Sequence, residues 1–465
     1  MGLPSNASEH RDFDHFDLAV IGTGSGNSII DEQFADRRVA LLEDGIFGGT
    51  CLNVGCIPTK MFVYPADLAY EAAHGGRLGL ETRFRRARWP EIRGRIFGRI
   101  DPISIGGRHW RADKNENVTL FEGHARFVDV RTLDTGTGQT ITADQVVIAA
   151  GSRPILPEVE GLLDIDFHTS NTIMRIDDLP DRLLILGGGF VAAEFAHVFA
   201  SFGSRVTVVN RSARMLRAED DEISERFTEA ARRQWDVRLN AEATKIERYD
   251  GGVRAHLSDG STVDADLVLV AVGRTSNADG LDLEKTGVEQ DANGVIVVDD
   301  YQRTNVDGIL ALGDVANHFQ LKHVSNHEAR VVQHNLLHPD DPVKARHDAV
   351  PSAVFSHPQV ATVGLTERAA RARGIDYVVA HQRYGDTAYG WAMEDTVSFA
   401  KLLAEPVSGR ILGAHFMGPQ ASNLIQPLIQ AMAFGQTAHQ VARDQYWIHP
   451  ALMEVVENLL LALPH

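Results

Sequence analysis

Two cysteines among 465 residues leave little room for structural sulfur. A disulfide scaffold needs several pairs and a thiolate zinc site needs more ligands, so both are excluded. Positive charge is also scarce: 45 lysines and arginines against 63 acids give a net charge of −18. That balance speaks against nucleic acid or an anionic membrane surface as a partner. The N-terminal MGLPSNASEHRDFDHF lacks the apolar core of a signal peptide, and residues 1–15 read as a disordered leader. A clean membrane-length apolar run is missing too. The nearest, Leu183 to Ala200, carries three consecutive glycines and Glu194, which disfavour a bilayer-spanning helix. Among 20 histidines, His323 and His327 have ligand-like spacing but lack a third ligand, so no metal is expected. These absences leave a cytoplasmic protein of two to four domains.

One stretch opposes the charge balance. From Arg83 to Arg111 the sequence RFRRARWPEIRGRIFGRIDPISIGGRHWR is crowded with arginine. It reads as a solvated helical face pairing with acidic neighbours, with a place beside a substrate cleft as the alternative.

What the chain does have is the start of a nucleotide fold, twice. FDLAVIGTGSGNSII runs from a short apolar strand into Gly22, Gly24, Ser25 and Gly26, and then into an apolar stretch expected to be helical. Glycines there let a pyrophosphate approach the backbone, and a helix N-terminus would supply free N–H groups. The usual third glycine position holds Asn27. A second strand, VALLE, ends in Glu43, where a carboxylate can accept hydrogen bonds from an adenosine ribose. The pattern recurs in DRLLILGGGFVAAEFA, with Gly187, Gly189, Phe190 and Val191 at the turn. Its second strand ends in Asn210 rather than an acid, followed by Arg211 and Arg217. Two guanidiniums there would clamp a 2′-phosphate, so this site reads as one for NADPH rather than NADH. Asp314 ends another short strand, where it could bind a ribityl hydroxyl, and two more apolar strands end in Gly151 and Gly273.

Both thiols lie in GGTCLNVGCIPTK, as Cys51 and Cys56. Two small buried hydrophobes would explain them; so would a redox pair. On a regular helix this spacing puts the Cα atoms roughly 7.5 Å apart along the axis and about 140° around it. A disulfide wants about 4.4–6.8 Å, so a bond demands a distorted turn, which Gly55 would ease. Pro58 suits a helix start, and Cys56 near that N-terminus would be stabilised as thiolate. A strained, reducible loop suits a working pair better than a staple. His449 and Glu454, in YWIHPALMEVVENLL, offer an imidazole oriented by a carboxylate for proton transfer.

Together these pieces resemble the flavoprotein disulfide reductases, the family of glutathione reductase and dihydrolipoamide dehydrogenase, from Phe16 to about Leu461. The resemblance implies an α/β protein with two Rossmann-like domains, for FAD and NAD(P)H, and a C-terminal α+β dimerisation domain. The boundaries expected are 1–154 for FAD, 155–275 for NADPH, 276–345 returning to the FAD domain, and 346–465 for the interface. It further implies that Cys51 attacks the substrate and Cys56 stacks on the flavin. Lys60 and Glu194 would form an ion pair beside flavin N5, and His449–Glu454 of one subunit of a homodimer would complete the other's site. Gly49, Thr50 and Ala125, with the first-turn residues, Glu43, Gly151 and Asp314, are expected at FAD; Gly273 and Arg274 join the second turn and its arginines at NADPH. The substrate would be a small-molecule disulfide. Having no third cysteine excludes mercuric reductase and the large thioredoxin reductases. Asn27, GCIPTKMFVY and YWIHPALMEVVENLL mark a subgroup apart from glutathione reductase itself. The rivals are an NAD-dependent dihydrolipoamide dehydrogenase and a docked component of a multienzyme complex.

Overall fold

A computed structural model describes residues 13–464 of the chain. Most of the expected leader, residues 1–12, therefore lies outside the described residues, and the first strand already begins at Asp14. The chain divides into two compact units: one runs to Asn53 and adds Ile100–Arg153 and Thr275–Ala345, the other comprises Val54–Arg99, Pro154–Arg274 and Arg346–His465.

In the first unit, the apolar runs become parallel strands because they are covered on both faces. Val118–Glu122, Val39–Glu43, Asp14–Ile21, Thr140–Ile148 and Ile309–Ala311 lie side by side in that order, all parallel. Alternate residues split between two cores. Leu18, Val20, Leu41 and Val147 pack with Phe34, Val332 and Leu336, while Ala19, Ile21, Leu42 and Ile148 pack with Phe121 and Phe127. A hairpin, Arg126–Asp129 and Thr132–Asp134, continues the sheet in antiparallel sense.

The second unit repeats the design and adds a different one. Asp236–Leu239, Arg205–Asn210, Arg182–Leu186, Leu267–Val270 and Phe167–His168 form a second parallel sheet, accompanied by a three-stranded antiparallel sheet from Ala243 to Ala265. The C-terminal part is an antiparallel sheet in the order Pro351–Val354, Val360–Gly364, Ile411–Met417, Phe399–Ala404, Val378–Arg383. Its core joins Leu402, Ala414 and Phe416 to Leu428, Val455 and Leu459 of the helices Gln426–Phe434 and Glu454–Leu461. The α/β class with an α+β C-terminal part is thus the one expected.

Two local expectations are corrected. The stretch after the first glycine turn is not an α-helix; it forms short 3₁₀ turns, Gly26–Ile29 and Glu32–Phe34. Asn27, Ser28 and Asp31 are poor helix formers, and Arg111 takes the carbonyls of Asn27 and Ile30 that a helix would use for itself, at 3.0 and 2.6 Å. The arginine-rich segment is only partly a solvated, acid-paired face. Its helix spans Trp89–Asp113, and Arg88, Arg93 and Arg108 do pair with Glu91, Asp177 and Glu122. Residues 83–88 precede the helix, however, and Arg111 is buried.

Candidate active site and cofactor sites

The first glycine turn is built so that backbone, not side chains, forms its surface. Gly22 has φ +106°, and a Cβ there would lie 2.4 Å from the Ala149 carbonyl oxygen. Gly49, at φ +68°, would place a Cβ 2.7 Å from Gly24 Cα, so the two glycines lie against each other and Gly49 has no room for a side chain. Thr23 couples the two segments. Its Oγ accepts from the Gly48 N–H at 2.9 Å, and its N–H and hydroxyl both donate to Glu43 Oε2. Glu43 also accepts from the Gly45 N–H at 2.9 Å. The expected ribose acid is therefore braced into place at the end of its strand. Asn53 donates to the Phe47 and Gly49 carbonyls at 2.9 and 3.0 Å, fixing the five-residue helix Gly49–Asn53 that carries Thr50 and Cys51. Its own buried Oδ1 makes no hydrogen bond.

Two cations at this turn escaped the sequence reading. Lys322 donates to Ser25 Oγ at 2.8 Å from 297 residues away. Arg111 donates to Asn27 Oδ1 at 2.7 Å. Burial lowers the Arg111 pKa, with only Asp31 opposing it. Asn27 in place of glycine thus has a partner, but one that no local spacing signals.

Asp314 lies on a turn, Gly313–Val315, and accepts from Ser152 Oγ at 2.7 Å. The buried Glu328 holds that turn, accepting from the Gly313 N–H at 2.7 Å and from the Asn317 amide. Gly151, at φ +70°, has open space beside it, and Ala125 is buried. Glycine surfaces in contact, a braced acid and two cations form a donor set that fits a dinucleotide such as FAD.

The second turn repeats the glycine logic. Gly187 has φ +122° with a Cβ position 2.2 Å from the Ala271 carbonyl oxygen. The helix Phe190–Ser201 follows directly, with Val191 in its first turn. Asn210 is buried and donates to the carbonyls of Ser212 and Arg214 at 3.2 and 2.9 Å. It shapes the loop that carries Arg211 and Arg217, both exposed. Gly273, at φ +143°, leads into the short strand Arg274–Ser276. Two exposed guanidiniums on a loop with no acid at the strand end fit a 2′-phosphate. Beyond them, Glu219 buries its Oε2 without a hydrogen-bond partner. Burial first, and the neighbouring Asp220 charge second, push its carboxyl up to about 7. Asp220 in turn accepts from the buried Lys401 at 2.7 Å, which also meets Glu367.

Between the two cysteines the helical path is broken. Cys51 lies on the helix Gly49–Asn53, and Cys56 opens the helix Cys56–His74 after Gly55, whose φ −131° and ψ −120° interrupt the helical path. Thr59 closes the new helix start by donating to the Gly55 carbonyl at 2.7 Å. Lys60, one residue further, donates to both oxygens of Glu194 at 2.7 Å. Glu194 is 3% exposed, accepts from the Phe355 N–H at 3.0 Å, and so has its charge matched inside the protein. The Lys60 ammonium lies 4.6 Å from the Phe355 ring centroid. A second rung joins the same two helices, Asp67 to His197 at 2.7 Å, and it too escaped the sequence reading. His449 Nδ1 lies 2.6 Å from Glu454 Oε1, while the imidazole is 72% exposed. The carboxylate holds Nδ1 of an imidazole that is otherwise largely exposed.

A family model for pyridine nucleotide-disulphide oxidoreductases matches residues 16–329, and the dimerisation domain of the same family matches residues 350–460. The chain belongs to the pyridine nucleotide-disulphide oxidoreductase family: it is an FAD-containing, NADPH-dependent disulfide oxidoreductase with a dimerisation domain. Among its relatives, mycothione reductase of Mycobacterium tuberculosis is 53% identical, over 96% of this chain and 99% of its own. Glutathione reductase of Burkholderia cepacia is 32% identical over 94% of this chain and 97% of its own. Dihydrolipoyl dehydrogenase of Corynebacterium glutamicum is 33% identical over 96% and 97%. The solved structure of the HOCl-induced flavoprotein disulfide reductase RclA from Escherichia coli superposes with a TM-score of 0.84 at 28% identity, covering 96% of this chain and 99% of that one. No helix among the described residues is long and apolar enough to cross a membrane, and no group of three metal-ligating side chains is found among them.

Proposed function

We propose that the enzyme reduces mycothione, the disulfide of mycothiol, to two mycothiols at the expense of NADPH, in the cytoplasm. The observation that carries this reading is the 53% identity to the Mycobacterium tuberculosis mycothione reductase along almost the entire chain. Asn27, GCIPTKMFVY and YWIHPALMEVVENLL, the marks that set the sequence apart from glutathione reductase, support it.

The first glycine turn, Glu43 and Asp314 would hold FAD, which would supply two-electron transfer between NADPH and the Cys51–Cys56 pair. The remaining chemistry belongs to the chain. Cys51 thiolate attacks one sulfur of mycothione, forming a mixed disulfide and expelling one mycothiol, which the partner subunit's His449 protonates. Cys56 thiolate then attacks the Cys51 sulfur, releasing the second mycothiol and restoring the disulfide. Glu454 orients the imidazole for these transfers. Lys60, held by Glu194, supplies a fixed positive charge, and Arg211 and Arg217 select the 2′-phosphate of NADPH. The dihydrolipoamide dehydrogenase reading is disfavoured by the absence of a ribose-binding acid at Asn210.

Steady-state assays with mycothione, glutathione disulfide and lipoamide, each with NADPH and NADH, test the proposal. The expected kcat/KM for mycothione with NADPH exceeds the others by at least tenfold; a preference for lipoamide with NADH would overturn it.

A further inference from the structure

Arg211 and Arg217 stand on one loop, yet its two ends are held by different parts of the chain. The near end is fastened within the nucleotide fold. The Asn210 amide donates to the carbonyls of Ser212 and Arg214. The Met215 N–H donates to Thr228 Oγ1 at 3.0 Å, and the Met215 carbonyl accepts from Ser224 Oγ at 2.6 Å. Buried Leu216, at φ +51°, turns the chain, its N–H donating to the Gly188 carbonyl at 2.7 Å. Beyond Leu216 the C-terminal part takes over. Arg368, on the helix Glu367–Ala372, pairs with Asp221 through one amino group. Through the other it donates to the carbonyls of Arg217 and Glu219, at 3.2 and 3.4 Å. The Glu367 N–H donates to Asp220 at 3.0 Å, and Lys401 of the strand Phe399–Ala404 reaches the same carboxylate at 2.7 Å, both side chains buried.

An exposed ion pair alone contributes little, and with Asp221 as its one partner Arg368 would be unremarked. Its grip on the Arg217 carbonyl is different in kind. Fixing that peptide plane fixes the direction in which the Arg217 side chain leaves the backbone. A guanidinium fork meets phosphate oxygens two at a time only when it is aimed. We propose that Arg368 is a positioning residue for NADPH: resting on the reading that Arg217 binds the 2′-phosphate, it aims Arg217 from the C-terminal part without touching the cofactor. Lys401 and Asp220 brace the same end of the loop, but breaking a buried pair destabilises the whole fold. Arg368, whose side chain is 49% exposed, is the residue to test.

The test is steady-state kinetics of the FAD-loaded enzyme with NADPH and with NADH. Arg368→Ala should raise the KM for NADPH by about threefold to tenfold, with kcat retained and the KM for NADH moved by no more than about twofold, the scale of one or two hydrogen bonds lost behind the phosphate contact. Arg368→Lys keeps the charge without the fork and should fall between. Arg217→Ala should weaken NADPH selectively, and in that background Arg368→Ala should have no further effect on NADPH. An unmoved KM for NADPH, or an equal rise for NADPH and NADH, would overturn the proposal. So would additive effects of Arg368→Ala and Arg217→Ala, which would mean that Arg368 does not act through Arg217. If Arg217→Ala by itself weakened both cofactors equally, the reading of Arg217 would fall, and the proposal with it.

Discussion

Replacing Arg111 by methionine removes a buried guanidinium while keeping most of the side-chain length. In the structure Arg111 donates to Asn27 Oδ1, to the carbonyls of Asn27 and Ile30, and to Asn115 Oδ1. Ile30 is 4% exposed, so its carbonyl cannot turn to water, whereas half-buried Asn27 can do so in part. One acceptor left unsatisfied costs about 1–3 kcal/mol, and each remaining charge-assisted bond is worth about 1.5–3 kcal/mol less its replacement by water. The expected loss for Arg111→Met is on the order of 3 kcal/mol. Asn27→Gly restores the common glycine but forfeits one of those bonds, about 1–2 kcal/mol. Because the two residues share a bond, the double variant should cost less than the sum, with a coupling of about 1 kcal/mol or more. Equilibrium unfolding in urea, followed by tryptophan fluorescence and by flavin release, measures all three. Strict additivity would refute the claim that Asn27 is present because Arg111 holds it.

Glu219, with its carboxyl pushed up to about 7 by burial, keeps a proton that the unfolded chain has already released. The unfolded state binds fewer protons between about pH 4.5 and 7, so stability falls as pH rises through that window and the penalty is complete above it. Glu219→Gln should therefore raise the melting temperature at pH 8, by on the order of 1–3 kcal/mol of stability, and leave it unchanged at pH 5; equal effects at both pH values would contradict this. Arg211→Ala/Arg217→Ala should raise the KM for NADPH by about 10–100-fold while leaving that for NADH within about twofold, since only the 2′-phosphate contacts are lost. Parallel changes in both would mean that these arginines only support the loop.

The sequence was legible where a function depends on neighbours along the chain. Strands around Leu18, Leu41 and Leu184 follow from apolar runs, and the glycine turns from spacing. His449–Glu454 follows from the residues of YWIHPALMEVVENLL and Lys60–Glu194 only from the resemblance; the two pairs lie at 2.6 and 2.7 Å. What could not be read depends on tertiary placement. Lys322 reaches Ser25 across 297 residues, and Arg111 reaches Asn27 across 84; nothing at either end announces the other. The segment after Gly26 has a helix-like apolar pattern, yet a guanidinium that competes for its carbonyls turns it into 3₁₀ turns. The Asp67–His197 rung was hidden for the same reason, since each residue alone reads as an ordinary polar helix position.

The most direct test of the central claim uses the Cys56→Ser variant, which can begin the exchange but cannot complete it. Mixed with mycothione and no NADPH, it should release one mycothiol per subunit and retain the other on Cys51, visible by intact-mass and peptide mass spectrometry. An unmodified Cys51, or an adduct that forms as readily from glutathione disulfide, would contradict the account.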